Sequence, residues 1–177
     1  MEIKDSGERR EFNSGAVRDV AEGKGRCDLL PLDIIAQYYE HYGNHVAIDN
    51  QMYSDILDLI DLYIREGYKN YIFEALKKFK EYFMPEEMQK TEHMWLELSK
   101  HFEQGAAKYA ERNWEKGIPT HCFIDSAVRH FLKYIGGMED EPHDRAFVWN
   151  LVCLLWTVEN KPECNDLPFA KKKEGEQ

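Results

Sequence analysis

Glycines and cations are interleaved near the start of the chain: Gly15, Arg18, Gly23, Lys24, Gly25 and Arg26. Glycine permits positive φ and close backbone approach, while guanidinium and ammonium groups supply charge. Such a segment can therefore cradle a phosphate. It is not a Walker loop, because no G-K-[ST] stands at the required spacing and no strand precedes it. The plainer alternative is a solvated N-terminal arm.

A second group comprises Glu103, Gly105, Lys108, Tyr109, Asn113 and Trp114. Tyr109 or Trp114 can stack on a base, and Asn113 can read a base edge or orient a phosphate. Core or helix-end packing is the alternative for both aromatic residues. A third group lies toward the C-terminus. Asp125, Arg129 and Lys133 share a helix face at four-residue steps, with Ser126 and His130 on the neighbouring row. Asp140, His143, Phe147 and Asn150 follow at three- and four-residue steps. Asn150 interrupts the apolar run Val148-Trp149-Asn150-Leu151-Val152, so it is expected to be buried and to need a partner, as a helix–helix bridge or a ligand contact.

Two apparent motifs dissolve on inspection. Asp125, Ser126 and His130 lie on one helix and cannot form a nucleophile–base–acid relay. Asp55, Asp58 and Asp61 lie opposite an apolar stripe and read as a solvated acidic face.

The elements that must position these groups are helical. A first helix is expected after Pro31, from the spacing of Ile34, Ile35, Tyr38, Tyr39 and Tyr42. Asp49 is a plausible N-cap for a second, with Ile56, Leu59, Ile60, Tyr63 and Ile64 as its stripe. A Lys-rich helix spans Tyr71 to Phe83, and a long one runs from Glu86 to about Tyr109. Thr120 is read as the cap of a helix ending at Gly136-Gly137, and the last helix ends near Glu159, before Lys161-Pro162. No segment alternates with period two for more than a few residues. The fold class is all-α: a single-domain bundle of five to six helices. It is preceded by an ordered N-terminal arm over 1–31 and followed by a disordered tail over 161–177, with the helical domain over 32–160.

Charge and composition narrow the function. With 23 Lys+Arg against 33 Asp+Glu the net charge is −10, and the pI near 5.2 argues against a protein that coats long DNA or RNA. A hydrophobic content of 43% is too high for a disordered chain. The opening residues lack the apolar core of a secretory leader, and no run approaches a membrane span. Cys27, Cys122, Cys153 and Cys164 are widely spaced without a C-x-x-C, so a reduced, cytoplasmic protein without a membrane partner is expected.

Six blocks stand in order: Gly15-Ala-Val-Arg-Asp19, Gly23-Lys-Gly-Arg-Cys-Asp-Leu-Leu-Pro31, Gly105-Ala-Ala-Lys-Tyr109, Asn113-Trp-Glu-Lys-Gly117, Ser126-Ala-Val-Arg-His130 and Trp149-Asn150. Together they resemble the phage-encoded dATP/dGTP diphosphohydrolase N-terminal domain family, related to the all-α MazG-like nucleoside triphosphate pyrophosphatases. Residues 44–95 look like a family-variable insertion. The resemblance implies metal-dependent hydrolysis of purine deoxynucleoside triphosphates to monophosphate and pyrophosphate, in an oligomeric enzyme of a phage-infected bacterial cytoplasm. It implies Mg²⁺ or Mn²⁺ held by Glu103, Asp140 and Asp125, with Glu103, Asp140 and His143 as catalytic groups. It further implies nucleotide contacts from Arg18, Lys24, Arg26, Lys108, Tyr109, Asn113, Trp114, Arg129, His130 and Asn150. One departure matters: the paired E-x-x-E and E-x-x-D carboxylates of the pyrophosphatases have no clean copy on the matching helices. The alternative is a non-catalytic nucleotide-binding protein, such as a phage sponge for a nucleotide immune signal.

Overall fold

Apolar spacing translates into five long helices in the computed structural model, which describes residues 7–19, 27–30, 34–35, 49–84 and 91–170. These are α1 (Asp49–Glu66), α2 (Lys69–Phe83), α3 (Thr91–Tyr109), α4 (Thr120–Ile135) and α5 (His143–Asn160). Among the described residues the architecture is all-α apart from a two-stranded hairpin. Tertiary contacts divide the chain into two compact units, Met1–Asp28 with Trp95–Asp166, and Leu29–Met94 with Leu167–Gln177. No helix among the described residues is long and apolar enough to cross a membrane.

In the second unit α1 packs on α2. The buried row of α1 runs through Met52, Ile56, Leu57, Ile60 and Tyr63. Leu59 and Ile64, expected within the stripe, sit half-buried at its margin. Ile72, Ala75, Leu76 and Phe79 of α2 complete this core. Gly67 ends α1 with φ +77°, and a Cβ there would stand 2.5 Å from the Phe169 ring, so glycine is required on two counts. Of the acidic face expected on α1, Asp58 is exposed, while Asp55 and Asp61 are partly buried and pair with Lys78 of α2 at 2.8 Å and with Arg65. Of the helix expected after Pro31, only Ile34 and Ile35 are among the described residues, and both are helical.

The first unit carries the chemistry. Its core is the α4–α5 interface, where Phe123, Ala127, Val128 and Phe131 meet Phe147, Leu151 and Leu154. The Phe131 and Phe147 rings lie 5.4 Å apart. One helix start differs from the sequence reading. Thr120 is the first residue of α4 and not its cap. The carboxylate of Asp166 instead accepts the His121 backbone N–H at 2.9 Å and the Thr120 hydroxyl at 2.9 Å. An anion there satisfies otherwise unpaired N–H groups and complements the helix dipole. The last helix, α5, begins at His143, so Asp140 lies on the turn ahead of it. Residues 161–170, expected to begin a disordered tail, are ordered, with Leu167 and Phe169 buried.

The N-terminal arm is a hairpin. β1 (Arg9–Glu11) pairs antiparallel with β2 (Val17–Asp19) in the register Arg9↔Asp19, Arg10↔Arg18 and Glu11↔Val17. Gly15 turns the chain at φ +77°. Strands of three residues are too short for alternation to reveal them in the sequence.

Candidate functional site

The hairpin register places Arg10 directly opposite Arg18. Arg18 Nη1 donates to the Cys122 carbonyl at 3.0 Å, and Nη2 donates to Ser126 Oγ and Asn150 Oδ1, each at 3.0 Å. Its guanidinium lies 5.3 Å from the Phe123 ring centre and 5.9 Å from that of Trp149. Asn150 is 2% exposed and donates in turn to the Ala146 carbonyl at 2.7 Å. Arg10 reaches Cys122 Sγ at 3.4 Å and stacks on Phe12, and its buried Nε–H has no acceptor. Among the described residues no carboxylate pairs with either arginine. Burial therefore pushes the Arg18 pKa down, and Arg10 adds to that effect. Like charges directly opposite across an antiparallel pair are unfavourable unless something neutralises them.

Other candidates hold the hairpin in place. Asn113 Oδ1 accepts the Val17 N–H at 3.0 Å while its Nδ2 donates to the Val17 carbonyl at 2.8 Å, as a third strand would. Asp19 accepts from Lys108 Nζ at 2.8 Å and the Tyr109 hydroxyl at 2.8 Å. Burial and then Asp19 raise the Tyr109 phenol far above its ordinary pKa. Asn113, Lys108 and Tyr109 are thus engaged by the arm itself. Lys24 and Arg26 lie outside the described residues.

The two arginines face a cavity of about 1070 Å³, large enough for a nucleotide. Arg18, Glu103, Tyr109, Asn113, Trp114, Asp125, Arg129, His130 and Asn150 all line it, whereas Lys108, Asp140 and His143 do not. One wall is aromatic, with Phe102, Trp114 and Trp149; the Trp114 ring packs edge-on against Trp156 at 4.8 Å. Besides Arg10 Nε, two polar atoms on the lining residues are buried without a partner: Trp149 Nε1 and His101 Nδ1. Burial, then Arg145, lowers the His101 pKa to about 4, so its imidazole is neutral near pH 7.

The three carboxylates expected to hold a divalent cation do not converge. Asp125 is paired with Arg129 and also accepts the Cys27 backbone N–H at 2.6 Å. Asp140 accepts from Lys133 at 3.1 Å and from His143 Nε2 at 2.8 Å, and these two bonds hold its carboxyl well below the usual range. Glu103 is exposed at the cavity. The fit to a carboxylate-held Mg²⁺ or Mn²⁺ is therefore poor. The donors that do meet are His130, Glu141 and His143. Burial first, and then His143, keeps the His130 pKa well below its ordinary value.

Sequence reasoning missed Arg10, Trp149, His101 and Glu141 as lining groups. Arg10 carries no spacing signal, because only the strand register pairs it with Arg18. Glu141 lies in the short acidic run Glu139-Asp140-Glu141, where nothing in the spacing singles it out, although it stands two residues before His143.

Residues 85–167, the stretch holding all of α3, α4 and α5, match the family model described as dATP/dGTP diphosphohydrolase, N-terminal. No curated protein and no solved structure matches the chain.

Proposed function

We propose, from the match of residues 85–167 to the dATP/dGTP diphosphohydrolase N-terminal family model, that the cavity binds a purine deoxynucleoside triphosphate and that the protein hydrolyses it to monophosphate and pyrophosphate. One observation carries this reading: Arg10 and Arg18 face the same cavity with only neutral partners among the described residues. Two adjacent guanidinium groups without a counter-ion attract phosphate oxygens through their charge and their remaining N–H donors.

The remaining groups take roles consistent with their surroundings. Phe102, Trp114 and Trp149 offer apolar area to a base, and the unpaired Trp149 indole N–H can donate to a purine ring nitrogen or carbonyl. Ser126 and Asn150 hold the Arg18 fork in orientation. Asn113, Lys108 and Tyr109 fix the hairpin, and hence the arginines, through Val17 and Asp19. Glu103 is an exposed carboxylate at the cavity and is available to take a proton from an attacking water. The reaction class implies Mg²⁺ or Mn²⁺ to neutralise the triphosphate. Glu103, Asp125 and Asp140 do not come together, so they form no joint site for that ion.

Binding without cleavage is the second reading. It is favoured by the engagement of Asp125 with Arg129, and of Asp140 with Lys133 and His143. Incubating the protein with dATP and dGTP, with and without Mg²⁺ or Mn²⁺, separates the two. Release of pyrophosphate and monophosphate supports the enzyme. Binding in a calorimeter with no turnover supports the binder. No binding of any nucleotide refutes both.

A further inference from the structure

Two imidazoles and a carboxylate meet where α4 faces the start of α5. His130 Nδ1 lies 3.0 Å from His143 Nδ1. Glu141 Oε1 lies 3.7 Å from the first nitrogen and 3.8 Å from the second. A point equidistant from these three atoms is about 2.1 Å from each, a spacing at which zinc holds imidazole nitrogen and carboxylate oxygen. A hydrogen bond between the rings accounts for their approach. It does not account for a carboxylate oxygen almost equally distant from both nitrogens.

The surroundings supply a second, independent observation. Asp140 Oδ1 accepts the His143 Nε2 proton at 2.8 Å, which fixes the tautomer and leaves the Nδ1 lone pair directed at the cluster. Carboxylate–imidazole–metal chains are built in this way. His143 itself is 2% exposed, so its ring is held by packing as well. Lys133 lies 3.1 Å from Asp140 and 3.8 Å from Glu141. Against its one positive charge stand two carboxylates, which leaves a net negative charge for a dication to neutralise. His130 and Glu141 also line the large cavity, so one coordination position opens toward it.

We propose that His130, His143 and Glu141 form a mononuclear site for a zinc-type divalent transition metal, supported from outside by Asp140. Two nitrogens and one oxygen with an open position suit Zn²⁺, Co²⁺ or Fe²⁺ better than Mg²⁺, which demands six oxygens in near-octahedral array. The site stands independently of the nucleotide reading, because its donors are placed without any phosphate.

The test is titration of the metal-stripped full chain with Co²⁺ and then Zn²⁺, without nucleotide. One equivalent of Co²⁺ should bind with weak visible d–d absorption and no intense thiolate charge-transfer band, and Zn²⁺ should displace it. His130→Gln and Glu141→Gln should each weaken binding by more than about 100-fold, and Asp140→Asn by about 10- to 100-fold. Circular dichroism checks that each variant remains helical, and His143 is spared because its burial ties it to folding. Three results would overturn the site: no stoichiometric binding of Co²⁺ or Zn²⁺, a thiolate band showing that cysteines hold the metal, or wild-type affinity in both His130→Gln and Glu141→Gln. Calorimetry of nucleotide binding to the same metal-free protein is read separately, so failure of one reading leaves the other standing.

Discussion

Replacing Arg18 by methionine should leave the ligand-free protein nearly as stable as before while removing most of its affinity for a triphosphate. In the free protein Arg18 makes three hydrogen bonds to neutral acceptors and lies over two aromatic rings. Each such bond is worth about 1 kcal/mol net, and the ring contacts add about 1 kcal/mol. Against this stands the burial of a guanidinium without a counter-ion, which costs several kcal/mol. The opposing contributions are of similar size, so Arg18→Met should shift unfolding stability by no more than about 2 kcal/mol in either direction. A phosphate changes the balance, because hydrogen bonds between charged partners are worth roughly 1.5–3 kcal/mol each. Losing two of them weakens binding by about 3 kcal/mol or more, on the order of 100-fold. Urea unfolding at 25 °C reads the first quantity, and calorimetric titration with dATP and dGTP reads the second. Arg18→Lys, which keeps the charge and loses the fork, should fall between. If Arg18→Met lost more than about 4 kcal/mol of stability, beyond what three hydrogen bonds of about 1 kcal/mol each can supply, yet bound triphosphate like the parent, Arg18 would be a strut and not an anchor.

Three further perturbations probe the scaffold. Asn113→Ala removes both hydrogen bonds to Val17 and should cost about 1–3 kcal/mol while speeding amide exchange at Val17; unchanged exchange would mean the hairpin holds without its clamp. The hydrogen bond to Asp166 raises the His121 pKa to about 10 from 6.5, so its stabilisation is complete below pH 6.5 and fades as pH rises through 10. Burial opposes ionisation of Asp166, yet its bonds from His121 and Thr120 outweigh that and bring its pKa to about 2, so its own contribution is lost only as pH falls through that value. After discounting for solvent screening of two partly exposed groups, the decline between pH 6 and pH 10 should be about 1 kcal/mol, and Asp166→Asn should flatten it. Urea midpoints across that range that stay level in the parent protein would contradict the pairing. Gly67→Ala should destabilise α1 and α2 by about 2–4 kcal/mol, because it combines a positive φ with a clash on Phe169. Thermal melts should show that adding Phe169→Ala recovers the clash and leaves the φ penalty, a non-additive result that independent sites would not give.

Much of the helical scaffold is legible in the linear chain. Apolar steps of three and four place α1, α2, α4 and α5, since burial of one stripe is the main force that stabilises a helix in a folded protein. Asn150 is legible as well: an amide inside an apolar run must be buried, and a buried amide must find partners, which prove to be Arg18 and Ala146. Helix starts are less legible. Thr120 has the composition of a cap, but Asp166, 46 residues away, fills that role, and no local pattern encodes such a partner. The hairpin is invisible for a different reason, because three-residue strands offer too few alternations to register.

The sequence by itself therefore determined the helical class, the buried Asn150 and the resemblance to a nucleotide-hydrolysing family. It also supplied an inventory of cations and carboxylates, without saying which would meet. Only the tertiary structure decided that Arg10 joins Arg18, that Asp125 and Asp140 are engaged elsewhere, and that Glu141 completes a cluster with two histidines. The reason is physical. Helix and burial patterns arise from neighbours a few positions apart, whereas the charge state and availability of a side chain depend on whatever folds to within a few ångströms of it. For Arg18 the nearest hydrogen-bonding groups are 104, 108 and 132 residues along the chain.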